Sequence, residues 1–175
     1  MTTVIAAVDR KNGIGKNGGI PFWSDQKFFK AATMGGVVIM GRHTWESLKE
    51  KPLPGRINVV VSTTYDDGRW ALTKKGDRFF VFHSLSQAVE FAKREHSDKE
   101  CFNIGGSILY KTAFEQGLVT RVLLSKIGTE ADCDTFFPKT LAELESQFGK
   151  HKVLSIDNEG IEPVLRLEYN RKVQS

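Results

Sequence analysis

Short apolar runs of strand length recur along the chain, and most are followed by a stretch with helical character. That alternation constrains the fold more than any other feature. Thr3–Val8 (TVIAAV), Val37–Met40 (VVIM), Ile57–Ser62 (INVVVS), Arg78–Phe82 (RFFVF), Cys101–Ile104 (CFNI) and Val119–Ile127 (VTRVLLSKI) read as strands. Ser24–Thr33, Arg42–Glu50, Leu85–Glu95 and Ser107–Glu115 read as helices. In Leu85–Glu95 the apolar residues Leu85, Ala88, Val89 and Ala92 share one face. In Ser24–Thr33, Ser24 can cap, Asp25 sits in the first turn, and Phe28, Phe29 and Ala32 form the apolar side. Thr63–Asp77 is a polar connection, and the extended runs KVLSI and VLRLEYN, joined by DNEGIEP, suggest an antiparallel hairpin. The pattern implies one α/β domain over residues 1–175. It is a three-layer fold with a mainly parallel central sheet, helices on both faces and a C-terminal antiparallel hairpin.

Composition narrows the classes. The chain has 175 residues, 40% hydrophobic and 26% charged, as in an ordinary globular protein. Its apolar runs are too short for a membrane span, and the N-terminus shows no signal-peptide pattern. The net charge is +4, but basic residues are scattered among acidic ones, which argues against a nucleic-acid surface. Cys101 and Cys133 fall in no metal-ligand spacing, so two reduced thiols in a cytoplasmic protein are expected, with no metal.

The stretch GIGKNG, Gly13–Gly18, fits the G-x-G-x-x-G dinucleotide fingerprint and follows a strand. Its context fails. Gly19 and Pro21 prevent a helix from opening there, and no carboxylate ends a second strand at the required distance. Four glycines within seven residues instead describe a loop able to lie over a ligand. Two other strand ends suit phosphates better. Gly41-Arg42-His43-Thr44 and Gly105-Gly106-Ser107 each offer backbone N–H groups where a helix begins. Either alone reads better as an ordinary tight turn; together, at two strand ends, they favour a bound nucleotide.

VIMGRHTWESL, KPLPGRINVVVS, NIGGSILY and DCDTFFP, in this order and after IAAVD and IGKNGGIPFW, resemble the dihydrofolate reductase family from about Val4 to Pro138. The resemblance implies transfer of hydride from NADPH to C6 of 7,8-dihydrofolate, with protonation at N5. It makes the glycine loop an active-site lid, with Ile14, Gly15, Gly18, Gly19 and Ile20 at the cofactor. It makes Asp25 the catalytic carboxylate, supported by the Ser125 hydroxyl, with Trp23 or Phe22 in the aromatic position after the lid proline. Read without it, Asp25 is better explained as an acidic residue favouring a helix N-terminus.

Arg56 looks like the anchor for the substrate's glutamate carboxylate, a fork suited to bidentate binding. Ile5, Ala6, Ala7, Phe29, Leu48, Leu53, Ile104 and Tyr110 match positions lining the pterin and nicotinamide pockets, with Ala7 touching both ligands. Gly41, Arg42, His43, Thr44, Ser62, Thr63, Gly105, Gly106, Ser107, Ile108 and Leu109 match cofactor positions, and His83 is a weaker one. Arg42, Ser62 and Thr63 would meet the adenosine 2′-phosphate. Asp134 and Thr135 match a loop that braces the lid, with Thr135 also at the cofactor. A monomer is expected, in a family that is a target of antifolates. The competing readings are a same-fold reductase of another pterin or pyrimidine, of the riboflavin-pathway type, and a non-catalytic scaffold. Asp25 together with Arg56 argues against both.

Overall fold

The computed structural model describes residues 1–19, 25–65, 69–158, 160 and 162–172. In chain order the elements are β1 (Thr2–Val8), β2 (Gly13–Gly15), α1 (Gln26–Thr33), β3 (Val37–Gly41), α2 (Arg42–Ser47), β4 (Ile57–Val61), β5 (Arg69–Leu72), β6 (Arg78–Phe82), α3 (Leu85–Glu95), β7 (Cys101–Asn103), α4 (Ser107–Glu115), β8 (Val119–Ile127), β9 (Thr135–Phe136), α5 (Leu141–Phe148), β10 (Lys152–Asp157) and β11 (Val164–Asn170). One sheet of nine strands runs β10-β11-β8-β1-β7-β3-β4-β6-β5. Its interior pairs, from β8 to β6, are parallel. Antiparallel pairs lie only at its edges, β8–β11–β10 on one side and β6–β5 on the other.

Strand alternation divides the core into two layers. Val4, Ala6, Val8, Val37, Ile39, Val122 and Leu124 pack on one face with the apolar sides of α3, α4 and α5. Ile5, Val38, Met40, Val60 and Leu123 pack on the other with Trp45 of α2 and Phe28 and Phe29 of α1. The expected architecture, a mainly parallel sheet with helices on both faces and a closing hairpin, is the one observed.

Four elements escape the sequence reading. β5 lies within the stretch read as a polar connection. α5 was signalled by T-L-A-E, Thr140–Glu143, whose side chains form a capping box. β2 and β9 have three and two residues and exist only because they pair with each other. Two helix ends differ as well. α2 stops at Ser47, since Lys49 and Glu50 take φ values of 55° and 53°, which no helix continues. α1 starts at Gln26, with Asp25 in the N-cap position. No helix among the described residues is long and apolar enough to cross a membrane.

Candidate active site

β7 inserts between β1 and β3, so chain order reverses beside it, and open α/β sheets form ligand crevices at such points. The carboxyl ends of β1, β3, β4, β6 and β7 open there onto a cavity of about 1360 Å³. A pocket for one small ligand occupies roughly 300–1,000 Å³, so this cavity has room for two reactants side by side.

Every described residue expected at the pterin lines it: Ile5, Ala6, Ala7, Asp25, Phe29, Leu48, Leu53, Arg56, Ile104 and Tyr110. So do Ile14, Gly15, Gly18, Gly19, Gly41, Arg42, His43, Thr44, Gly106, Ser107, Ile108, Leu109, Asp134 and Thr135, expected for the cofactor and lid. Three cofactor expectations differ. Ser62 and Thr63 are not in the wall, which is formed there by Val61, His83 and Ser84. Ser62 is buried and its Oγ accepts the Thr64 N–H at 3.1 Å. Gly105 sits behind the wall; its N–H donates to Asn103 Oδ1 at 3.0 Å and its carbonyl accepts the Gly41 N–H at 2.8 Å. Ile20, Phe22, Trp23 and the expected cap Ser24 lie outside the described residues. Lys27 and Lys30, which the sequence reading did not single out, flank Phe29 on the α1 side of the cavity.

Three of the four helices that begin at the cavity, all but α3 with its N-cap Ser84, lack a side-chain cap. α3 and α5 both carry complete capping boxes, Ser84–Gln87 and Thr140–Glu143. α1, α2 and α4 have no side-chain cap, and all three begin at the cavity. At α4 the N-cap is Gly106, and Gly106, Ser107 and Ile108 are in the wall, so uncapped amides open on the cavity. This is the arrangement that takes an anion. A Cβ on Gly106 would stand 3.6 Å from Thr44 Oγ1, in the space between the two glycine turns. A dinucleotide phosphate fits these donors. α2 is only six residues long, so its share of phosphate binding falls to the side chains of Arg42, His43 and Thr44.

Gly105 has a positive φ of 96°, and an added Cβ would stand 2.8 Å from the Tyr110 ring. Tyr110 is locked in place by its hydroxyl, which donates to the Ile5 carbonyl at 2.7 Å. The Gly105–Gly106 peptide is cis.

Asp25 is 5% exposed and is the one carboxylate buried at the pterin side of the wall among the described residues. Although it holds the N-cap position of α1, its side chain caps nothing there. Instead Oδ1 accepts from Arg166 Nε at 3.3 Å. Burial pushes the Asp25 carboxyl above the usual carboxylate range, while the Ser125 hydroxyl and the Arg166 guanidinium oppose the rise. Ser125, expected to support this carboxylate, is buried and not in the cavity wall, and its Oγ has no hydrogen-bond partner among the described residues.

Arg56 is partly buried against the cavity, held by the Pro54 carbonyl at 3.0 Å and Thr33 Oγ1 at 3.1 Å, with no carboxylate partner among the described residues. Burial lowers its pKa from the ordinary value. Its fork is positioned but unmatched.

The glycine loop is tied to a second loop. β2 pairs with β9, the Asn17 N–H donates to Asp134 Oδ2 at 3.0 Å, and Lys16 Nζ pairs with Asp132. Lys11 pairs with Glu130 at 3.0 Å. The acidic residues near Asp132 therefore serve loop bracing. Beneath them Asp9, 2% exposed, accepts the backbone N–H groups of Lys11, Gly13 and Ala131. Sequence reading missed Asp9; a carboxylate ending an apolar strand before a glycine turn was its only trace.

Comparison with known proteins agrees with this geometry. The model of the dihydrofolate reductase family matches residues 1–163. The chain is 40% identical over 151 residues to dihydrofolate reductase of Schistosoma mansoni, covering 78% of this chain and 77% of that one. It is 35% identical over 167 residues to dihydrofolate reductase of Sus scrofa, covering 86% and 83%. A bifunctional dihydrofolate reductase-thymidylate synthase of Paramecium tetraurelia is 36% identical over 146 residues, 79% of this chain but 28% of that protein. Among solved structures, dihydrofolate reductase from Enterococcus faecalis complexed with NADP(H) and RAB-propyl superposes with a TM-score of 0.76 over 99% of this chain and 97% of that one, at 24% identity. The last shares the fold; the sequence relatives and the family model share a lineage, and on them the chain belongs to the dihydrofolate reductase family.

Proposed function

We propose that this cavity carries out the NADPH-dependent reduction of 7,8-dihydrofolate to tetrahydrofolate with the following division of roles. Bound NADPH supplies the hydride that C6 of the substrate receives. Asp25 accepts the paired N–H groups of the pterin's amidine edge. Two parallel charge-assisted bonds orient the ring, and the negative charge set against it favours uptake of a proton at N5. Ile5, Ala6, Ala7, Phe29, Leu48 and Leu53 exclude water around the ring, which strengthens that pairing. Arg56 takes the carboxylate of the substrate's tail, assisted by the nearby charges of Lys27 and Lys30.

The amides at the start of α4, with Arg42, His43 and Thr44, hold the phosphates of the cofactor, and Tyr110 and Ile104 back its nicotinamide. The Gly13–Gly19 loop, braced from Asp134 and Thr135, covers both ligands. The chain acts as one domain over residues 1–175, since its sheet draws edge strands from the C-terminal hairpin and central ones from the start. It works as a cytoplasmic monomer.

The observation that carries this reading is the state of Asp25: buried at the cavity, in an N-cap position, and capping nothing. A residue kept for helix stability would turn its carboxylate onto the helix amides. The test is the folate-dependent loss of nicotinamide absorbance by the purified protein, repeated with Asp25→Asn. Turnover by the parent and its loss in Asp25→Asn, with NADPH still bound, is expected. Normal turnover in the variant would sink the role; no turnover in the parent, with NADPH bound, would move the search to other reducible heterocycles.

A further inference from the structure

Arg166 is a buried cation that the reaction as described does not use. It lies in the middle of β11 and is 8% exposed. A guanidinium is seldom buried in a strand unless something there requires its charge. β11 pairs antiparallel with β8 so that Arg166 stands opposite Ser125, and β8 pairs with β1 so that Ser125 stands opposite Ala7, in the cavity wall. On the other side Arg166 stands opposite Ser155 of β10. One row of four strands thus runs from the sheet edge to the pterin pocket, with Arg166 in it.

Three contacts fix the side chain. Nε donates to Asp25 Oδ1 at 3.3 Å, Nη1 reaches Ser155 Oγ at 3.5 Å, and the guanidinium carbon lies 4.9 Å from the centroid of the Phe28 ring on α1. The guanidinium lies over the ring while its Nε meets the carboxylate, two contacts that arginine can make at once. Among the described residues Arg166 is the only charged group acting on Asp25, and Ser125 the only other polar one.

We propose that Arg166 is a positioning residue of the catalytic centre, which turns the Asp25 carboxylate away from the α1 amides and holds it in its charged form against the pterin pocket. The inference rests on the reading of Asp25 as the pterin acceptor. A carboxylate has about four lone-pair sites on its two oxygens. Arg166 engages one at Oδ1, which leaves capacity on both oxygens for a ligand's N–H pair. Without the guanidinium, burial alone would favour the neutral carboxylic acid, which brings a proton of its own to the site where the amidine must donate.

The test compares Arg166→Leu and Arg166→Lys with the parent in the pH dependence of kcat/KM for dihydrofolate, and follows the Asp25 carboxyl directly by NMR titration in the NADPH complex. Loss of an adjacent opposite charge raises a carboxyl pKa by roughly 1–3 units. In Arg166→Leu the acid-side midpoint is expected to move up by at least about one unit, KM for dihydrofolate to rise, and the NADPH Kd to stay at the parent value; Arg166→Lys restores most of the midpoint. If Arg166→Leu fails to fold, Arg166→Gln, which keeps a donor without the charge, is read the same way. A folded variant that binds NADPH and keeps the parent midpoint overturns the proposal, even if its melting temperature falls. If the parent reduces no folate, the assigned function fails, and the NMR titration alone then judges the pairing: an unmoved Asp25 carboxyl refutes it.

Discussion

Two aspartates of this protein are almost equally buried and have opposite acidities. Asp9 is 2% exposed and Asp25 is 5% exposed. Burial pushes both carboxyls up, yet at Asp9 the backbone N–H groups of Ala131, Gly13 and Lys11 outweigh it and hold the pKa below the ordinary value, while Asp25 stays above it. The difference lies in the donors. Asp9 receives its bonds from main-chain amides at 2.7, 2.9 and 3.1 Å, fixed by the fold. Asp25 meets a single side-chain donor at 3.3 Å among the described residues. Asp9 has both oxygens engaged by the main chain, with the Cys133 thiol acting on it as well, and serves as a knot between two loops. Asp25 has capacity left over, and it faces a cavity. Burial therefore does not mark a functional carboxylate; incomplete satisfaction beside a pocket does.

Exchanging each carboxylate for its amide tests the contrast directly. Asp25→Asn should lower turnover by about 10²–10⁴-fold, read as nicotinamide oxidation at saturating ligands, because the charge-assisted pairing with the pterin is lost. Asp9→Asn should act chiefly on stability, by about 1–3 kcal/mol in denaturant unfolding, since an NH2 donor replaces one carboxylate oxygen and faces backbone donors. Its pH signature follows from the sign of the shift. A depressed folded pKa stabilises fully above the unfolded value of about 3.9, and the gain is lost as pH falls through the folded value. Asp9→Asn should thus flatten the acid limb of the stability curve. Asp25 contributes the opposite slope: with its folded pKa raised, stability declines as pH rises from the ordinary value toward the folded one. If Asp9→Asn abolished turnover while leaving unfolding unchanged, the contrast would be broken.

Smaller changes sharpen it. Ser125→Ala removes one of the two groups that oppose the rise at Asp25, so the acid-side midpoint of kcat/KM should move up, by less than in Arg166→Leu, which removes both a charge and a bonded donor. Because the Ser125 hydroxyl has no bonded partner among the described residues, unfolding free energy should stay within about 1 kcal/mol of the parent. The smallest effect is expected at the loop surface. Asp132→Ala breaks the exposed pair with Lys16, and no change in the unfolding midpoint should be measurable, since solvent screens such pairs.

The legibility of the chain followed the range of the interactions. α3, α4 and β8 were read with the boundaries observed, because each carries its own periodicity and lies between clear breakers. β5 was missed because it has four residues at a sheet edge, and α5 because its capping box, though present, was not weighed. At the site, residues gathered by turns and strand ends, such as Gly41–Thr44 and Gly105–Ser107, could be singled out locally. Ser62 and Thr63 could not be placed, since one residue past β4 the direction of a side chain is set by its neighbours: Ser62 turned inward to its own turn, and Val61 took the wall.

The sequence by itself determined the layers, the mainly parallel sheet and the glycine turns at two strand ends, because apolar period, turns and helix starts are properties of neighbouring residues; the pterin positions came only with the family resemblance. Read by itself it made Asp25 a helix-start residue, with a substrate role only by the family resemblance, and it gave Asp9 and Arg166 no role. Only the tertiary structure brings in the distant partners: Ala131, 122 residues from Asp9, completes a set of donors that Lys11 and Gly13 begin locally, and Arg166 reaches Asp25 from 141 residues away. The acidity of a buried carboxylate depends on which donors the fold brings to it, and neighbours in sequence supply only some of them.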